Sequence, residues 1–240
     1  MDSPLVSVII PTYNRFKYLL NAIKSVKEQT YKNIEIIIVN DCSIQEEYYN
    51  YKFENCVVIH LDKNSKKRFG HASPGGFQRT QGMKIASGEY IAFLDDDDYW
   101  LPDKLEKQII AMTTSKCLIS CTDGFIGAGL YDKTKKYRIY NKEKYQNTIK
   151  GIFNRKGKGE LMRNGFPDIW TKEFLNVHNC CIASSVIIHK SIINKIGYFS
   201  NNLWAPDYEY WKRVIQHSNL IYLNEPLLYW DSGHGYGQNY

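Results

Sequence analysis

Glu89-Tyr-Ile-Ala-Phe-Leu-Asp-Asp-Asp-Asp-Tyr-Trp100 joins a short apolar run to four consecutive carboxylates, Asp95 to Asp98. Tyr90 to Leu94 reads as a strand buried on both faces, which is what a parallel sheet covered by helices requires. In open α/β sheets ligands bind beyond the carboxyl ends of the strands. The acidic run therefore stands where a ligand would. At an effective dielectric of about 20, two unit charges about 4 Å apart repel by roughly 4 kcal/mol, so packed carboxylates call for a cation. A hard divalent ion with oxygen ligands, Mn²⁺ or Mg²⁺, is the natural one. If the chain stays extended, Asp95 and Asp97 share one face and Asp96 and Asp98 the other. The alternative is a solvated turn capping a helix that starts near Pro102, through Asp98 or Asp103. A cap needs one carboxylate and not four.

Upstream, Leu5 to Ile10 is a β-branched run closed by Pro11, and Phe16 to Gln29 carries Leu19, Leu20, Ile23 and Val26 at helical spacing. Ile34 to Val39 is a second strand closed by Asn40-Asp-Cys-Ser43, Ile44 to Tyr51 reads as helical, and Cys56 to His60 is a third strand. Phe77 to Ala86 supplies the helix before the acidic strand. Such alternation implies an α/β fold with a mostly parallel sheet and right-handed crossovers. Downstream, Pro102 to Thr113 reads as a helix and Cys117 to Cys121 as a strand. Residues 124 to 178 are rich in Gly, Lys, Asn and Tyr with weak periodicity, so a hairpin, small helices and loops are expected. Cys181 to His189 then reads as a strand, Tyr208 to His217 as an amphipathic helix, and Leu220–Leu223 and Pro226–Trp230 as two closing strands.

The 240 residues, 43% apolar and 23% charged, suit one domain with a full core. Residues 1–122 and 123–240 form its two halves. No apolar run approaches the roughly 20 residues needed to cross a bilayer. The start Met1-Asp-Ser-Pro lacks the basic residues of a secretory leader. Six cysteines without metal-ligand spacing suit free thiols, so a cytoplasmic location is expected. A net charge of +6 permits attraction to an anionic membrane face or acidic glycan. The basic residues read as scattered rather than striped, which disfavours nucleic acid.

Four segments together resemble the inverting family 2 glycosyltransferases, which have the GT-A nucleotide-diphospho-sugar transferase fold. They are Val6-Ser-Val-Ile-Ile-Pro-Thr-Tyr-Asn-Arg15, Ile38-Val-Asn-Asp-Cys-Ser43, Ala86-Ser-Gly-Glu89 with the acidic run, and Ile196-Gly-Tyr-Phe199 followed by Pro206-Asp-Tyr-Glu-Tyr-Trp-Lys-Arg213. Their order and spacing both match. The resemblance implies a Rossmann-like N-terminal half that binds the nucleotide sugar and a smaller, irregular C-terminal half that binds the acceptor. It also implies transfer from a nucleotide-diphosphate donor, a UDP-sugar, to a glycan, lipid-linked or protein-linked hydroxyl with Mn²⁺ or Mg²⁺.

Residue by residue, the resemblance implies a nucleotide pocket at Pro11, Thr12, Tyr13, Asn14 and Arg15, with Tyr13 against the base. Asp41 would accept the N3 hydrogen of uracil, and Asn40 stands where the family usually has Asp. Arg79 would touch the base or Asp41, and Asp95 and Asp96 the nucleotide. Asp97, Asp95 and His234 are the candidate metal ligands. Asp207 is the candidate general base, the second acid of the family's Glu-Asp pair, with Pro206 replacing the first. An inverting transfer needs one such carboxylate to take the acceptor's proton. Structural alternatives stay open for each: a turn at Tyr13, a helix cap at Asp41, and helix-dipole stabilisation by Asp207 and Glu209. His71-Ala-Ser-Pro-Gly-Gly76 is a Gly-rich loop that could approach phosphate. A sugar nucleotidyltransferase and a non-catalytic sugar-nucleotide or glycan-binding module are the competing readings. The former needs a Gly-rich basic loop after the first strand, which Pro11-Thr-Tyr-Asn-Arg15 is not.

Overall fold

A computed structural model describes residues 3–70, 75–200 and 205–234. In chain order the elements begin with β1 (Val6–Thr12), α1 (Phe16–Lys27), β2 (Ile34–Asn40), α2 (Glu47–Asn50), β3 (Cys56–His60), α3 (Ser65–Phe69), α4 (Gly76–Ile85) and β4 (Tyr90–Phe93). Then come β5 (Tyr99–Trp100), α5 (Lys104–Ser115), β6 (Ile119–Gly127), β7 (Arg138–Ile139), α6 (Gln146–Arg155), β8 (Ile169–Trp170), α7 (Lys172–Val177), β9 (Ile187–His189), α8 (Ile193–Ile196), α9 (Pro206–Val214) and β10 (Leu220–Asp231). The main sheet runs β3-β2-β1-β4-β9-β6-β10-β5, with β7 on β6 and β8 on β10. The α/β architecture matches the GT-A expectation. The pairings from β3 through β4 are parallel. Beyond β4 the sheet is mixed, since β9 pairs antiparallel with both neighbours while β6 and β10 run parallel.

Period-two alternation divides the core. Ile9, Ile37, Val39, Ile91 and Phe93 face one layer with Met83 of α4, Phe153 of α6, Phe174 of α7 and Trp211 of α9. Val8, Ile10, Ile36, Ile38 and Ala92 face the other, under Leu19 and Ile23 of α1 and Leu105 and Ile109 of α5. Both faces of the central strands are thus covered, which is why they read as unbroken apolar runs. Gly82 lets α4 lie close on β1: a Cβ there would sit 2.6 Å from Ile9 Cγ2.

Several expected boundaries shift for local reasons. β4 ends at Phe93, and Asp98 N–H donates to Asp95 O at 3.1 Å, so the acidic run is a turn rather than extended chain. The face-sharing of Asp95 and Asp97 does not apply there. Only Ile187–His189 of the expected Cys181 strand is strand, because Ala183–Ser185 form a 3-10 turn in which Ser185 Oγ donates to Ile182 O at 2.7 Å. A serine hydroxyl that bonds local backbone competes with the ladder. The two expected closing strands are one twelve-residue strand whose register shifts around Pro226, where the missing N–H forces an irregularity. The helix expected at Ile44 to Tyr51 shrinks to Glu47–Asn50, since Ser43 and Ile44 are bonded to Asn14 instead. No helix among the described residues is long and apolar enough to cross a membrane. All six cysteines are free thiols.

Candidate functional site

The parallel register aligns Thr12 with Asn40 and Ile9 with Phe93, so the loops after β1, β2 and β4 emerge side by side. Two of these loops are locked together. Asn14 holds φ at 51° while its Oδ1 accepts from Ile44 N–H at 2.8 Å and its own N–H donates to Ser43 Oγ at 2.9 Å. Asn tolerates this left-handed conformation better than most residues. Buried Tyr48 adds a second tie: its hydroxyl lies 2.7 Å from Thr12 Oγ1 and accepts from Arg15 N–H at 2.9 Å. Burial pushes its phenol up to about 12.

The four carboxylates of the acidic turn have four different fates. Asp95 forms an ion pair with the buried Arg79, and its backbone N–H donates to Ser184 Oγ at 2.9 Å. Asp96, fully buried, accepts from Thr12 Oγ1 at 2.7 Å and pairs with Arg15 at 2.7 Å. Asp97 pairs with the other arm of Arg15, again at 2.7 Å. Burial first, then the Asp96 charge, pushes the Asp97 carboxyl up to about 8 against the pull of Arg15. Asp98 is buried and accepts the backbone N–H of Asp231 at 2.9 Å, tying the turn to the end of β10. Burial, followed by the Asp97 charge, raises its carboxyl well above the usual range.

Across that tie lies a cluster assembled from the acidic turn and the end of β10. Asp97, Asp231 and His234 each offer a ligand atom within 4.8 Å of the others. His234 Nδ1 is 2.9 Å from Asp231 Oδ2 and 3.5 Å from Asp97 Oδ2. Asp231 Oδ1 accepts from Gly129 N–H at 2.9 Å and Gly233 N–H at 2.8 Å, leaving Oδ2 turned to the cluster. The Tyr18 and His234 rings meet edge to face with centroids 4.5 Å apart. Two carboxylates and an imidazole are donors that Mn²⁺ accepts, while Mg²⁺ prefers oxygen alone. These residues therefore fit a divalent ion.

Of the sequence candidates, Asp97 and His234 come together. Asp95 falls outside this group because Arg79 holds its carboxylate. Asp231 went unread, although it stands three residues before His234 at a strand end; a carboxylate and an imidazole so spaced were the available signal. Nothing local marks Tyr48 or Ser184.

Asp41 lies fully buried at the end of β2. Its Oδ1 accepts from Ser65 N–H at 2.9 Å, and its Oδ2 from Ser65 Oγ at 2.7 Å and Asn64 Nδ2 at 3.0 Å. The helix it supports is α3, not one after Ser43, and most of the carboxylate's acceptor capacity is taken up there. Burial raises its carboxyl despite these bonds. Arg79 is turned to Asp95 rather than to Asp41. Asn40 is spent locally, its Oδ1 on Ser43 N–H at 3.0 Å and its amide beside His60 at 3.0 Å.

Asp207 sits half-buried in the first turn of α9, behind Pro206 at a position where a missing N–H costs nothing. Pro206 packs on the start of α4, with its Cβ 2.9 Å from where a Cβ on Gly76 would be. Asp207 thus flanks the helix that carries Arg79. Of the Gly-rich loop at His71 to Gly76, residues 71–74 lie outside the described residues.

The sequence model described as Glycosyl transferase family 2 matches residues 7–170. An uncharacterised glycosyltransferase of Rickettsia typhi is 31% identical over 94% of this chain and 63% of its own length. One of Methanocaldococcus jannaschii is 30% identical over 95% of this chain and 70% of its own. The Escherichia coli UDP-Glc:alpha-D-GlcNAc-diphosphoundecaprenol beta-1,3-glucosyltransferase WfaP is 39% identical over 51% of this chain and 47% of its own length. Residues 1–349 of Staphylococcus aureus TarS, solved with UDP-GlcNAc, superpose with a TM-score of 0.67 at 18% identity over 98% of this chain and 61% of that one. The mannosyltransferase PcManGT of Pyrobaculum calidifontis, solved with GDP-Man and Mn²⁺, gives 0.64 at 13% identity over 98% and 59%. The chain spans about 63% of the length of the Rickettsia relative. By its sequence match and its relatives, the chain belongs to glycosyl transferase family 2.

Proposed function

We propose that this protein transfers a sugar, with inversion, from a UDP-sugar to an acceptor hydroxyl in glycan synthesis, using a divalent metal. The observation that carries the reading is the meeting of Asp97, Asp231 and His234 beside the carboxyl ends of the parallel strands. The relative WfaP, whose name specifies UDP-Glc and a diphosphoundecaprenol-linked acceptor, supports the choice of UDP and of a lipid-linked acceptor.

Tyr13 lies against the base, and Asp41 with the Asn64–Ser65 turn forms the floor of that pocket. Pro11, Thr12, Asn14 and Arg15 hold the nucleoside side, with Thr12 and Arg15 also fixing Asp96. Asp97, Asp231 and His234 hold the ion, Mn²⁺ in preference to Mg²⁺ for its tolerance of imidazole. When bound, the ion supplies Lewis-acid stabilisation of the departing diphosphate. Arg79 compensates Asp95 and Arg15 compensates Asp96 and Asp97, which eases the approach of an anionic ligand to the turn. Asp207 takes the proton of the attacking hydroxyl on the face opposite the leaving group.

A thermal-shift panel of UDP, GDP, CDP and dTDP with and without Mn²⁺ tests donor and metal together, because a ligand of the native state raises apparent stability by mass action. UDP is expected to shift the melting temperature only when Mn²⁺ is present. Incubation with UDP-sugars should release UDP. Pyrophosphate release would mark a nucleotidyltransferase, and no turnover with any acceptor would favour a binding module. Full transfer activity in excess chelator would overturn the metal assignment.

A further inference from the structure

The positive charge of this chain is concentrated in one segment. Residues 132–158 hold ten Lys and Arg against two acids, a net +8, while the whole chain is +6, so the remainder is net negative. Within that segment Lys133, Lys135, Lys136, Arg138, Lys142 and Lys144 are all exposed. They occupy the β6–β7 hairpin and the π-helical turn Tyr140–Tyr145 that follows it. The two acids offset them weakly: Lys135 Nζ stands 3.9 Å from Asp132, and the Glu143 carboxylate is engaged by Ile139 N–H at 2.9 Å. The scatter expected from the sequence gives way to a basic shelf.

The shelf is held in place by aromatic rings. Tyr131 stacks on Tyr99 with ring centroids 4.7 Å apart, Tyr137 meets Tyr229 at 4.8 Å, and Tyr140 meets Trp230 at 5.1 Å. Tyr137 OH accepts from Asp132 N–H at 3.0 Å, closing the hairpin tip. The hairpin also borders the site, for Gly129 N–H donates to Asp231 Oδ1 at 2.9 Å and Tyr229 OH donates to Gly129 O at 2.9 Å. Six exposed cations and a layer of packed Tyr and Trp rings therefore share one segment that borders the Asp97–Asp231–His234 cluster.

We infer that the β6–β7 hairpin and the turn after it dock this protein on an anionic phospholipid bilayer, with the rim of the site at the lipid surface. Each Lys or Arg near an anionic leaflet contributes roughly 1 kcal/mol, and clusters of about four to eight suffice for recognition. Tyr and Trp are the aromatic residues favoured at the membrane–water boundary. A polyanion without rings or tails, such as heparin, would use the charge alone. The ring layer, and the position beside a site proposed to serve a lipid-linked acceptor, favour the bilayer. The inference rests on the transferase reading for its purpose and not for its chemistry.

The test is flotation of the full chain, without donor, on vesicles of phosphatidylcholine alone or mixed with phosphatidylglycerol. Binding is expected to the mixed vesicles only and to weaken with salt. The triple variant Lys133→Glu/Lys135→Glu/Lys136→Glu should lose at least about 100-fold in vesicle affinity while keeping its unfolding midpoint and its UDP/Mn²⁺ thermal shift. A double variant, Lys142→Glu/Lys144→Glu, provides the same readout from the neighbouring turn should the hairpin variant fail to fold. The inference is overturned if the wild-type chain ignores mixed vesicles, if the folded variants float as well as it does, or if heparin binds the chain while vesicles do not. Loss of the UDP response with intact flotation would sink the transferase reading and leave the docking surface standing.

Discussion

Residues 5–122 and residues 124–178 both feed the core but are written in different languages, the first burying long runs and the second single side chains between exposed ones. The first stretch alternates strand and helix so regularly that the parallel pairing of its early strands is expected from pattern. The second lacks periodicity, yet it buries Ile149, Phe153, Trp170, Phe174 and Leu175 in the same core layer as Ile9 and Phe93. Its rings pack on one another, Trp170 on Phe174 at 4.9 Å and Phe153 on Phe174 at 4.8 Å. The lesson is that irregular backbone does not mean loose structure. Aromatic side chains bury enough area each to dispense with a repeating stripe.

The largest effect is expected at the cluster that joins the acidic turn to the end of β10. If the ion is held from both, Asp231→Asn should cost Mn²⁺ binding, read by electron paramagnetic resonance, and lower turnover by on the order of 1,000-fold, since Lewis-acid stabilisation is worth several kcal/mol. Unchanged Mn²⁺ affinity would hand the metal back to the acidic turn alone. Next, Phe153→Ala should destabilise the fold by about 3–5 kcal/mol in urea unfolding, as any fully buried Phe of the regular half would. A cost below about 1 kcal/mol would show a soft second region.

Asp207→Asn should lower turnover by roughly 100-fold or more while UDP binding is retained. Near-normal turnover would reduce Asp207 to a helix-dipole partner.

The smallest effect concerns Lys104, a lysine fully buried beneath the sheet with its ammonium 4.1 Å from the Trp100 ring and 2.6 Å from Gln108 Oε1. Burial drives its amine well below the ordinary 10.5. Between that lowered value and 10.5 the unfolded chain binds the extra proton. Stability should therefore rise with pH across this window, by up to about 1.4 kcal/mol per unit. Lys104→Met should flatten that slope, and an unchanged slope would locate the pH dependence elsewhere.

What could be read in advance had a common character. β1, β2 and β4 are unbroken apolar runs buried on both faces and α1 carries a helical stripe, both legible locally, and the acidic turn announced itself by being too charged for a strand's end. The boundaries that moved did so where side chains compete with backbone, as at Ser185, or where Pro226 interrupts a strand. Asp95 was expected at the metal because its neighbours were read as extended chain; in the turn, Arg79 claims it instead. Asp41 looked free to meet a base, and it spends most of its acceptor capacity on Asn64 and Ser65, residues more than twenty positions away.

Sequence alone was enough to determine the α/β class, the family, and which strand ends would carry acids, because those properties rest on local periodicity and on motifs a few residues long. Tertiary structure decided that Asp97 meets Asp231 and His234 rather than Asp95, that Asp98 ties β10 to the acidic turn, and that the lysines of residues 133–144 form one shelf beside the site. Contacts between residues more than a hundred positions apart leave no period in the chain. They exist only once β5, which follows the acidic turn, has paired with β10.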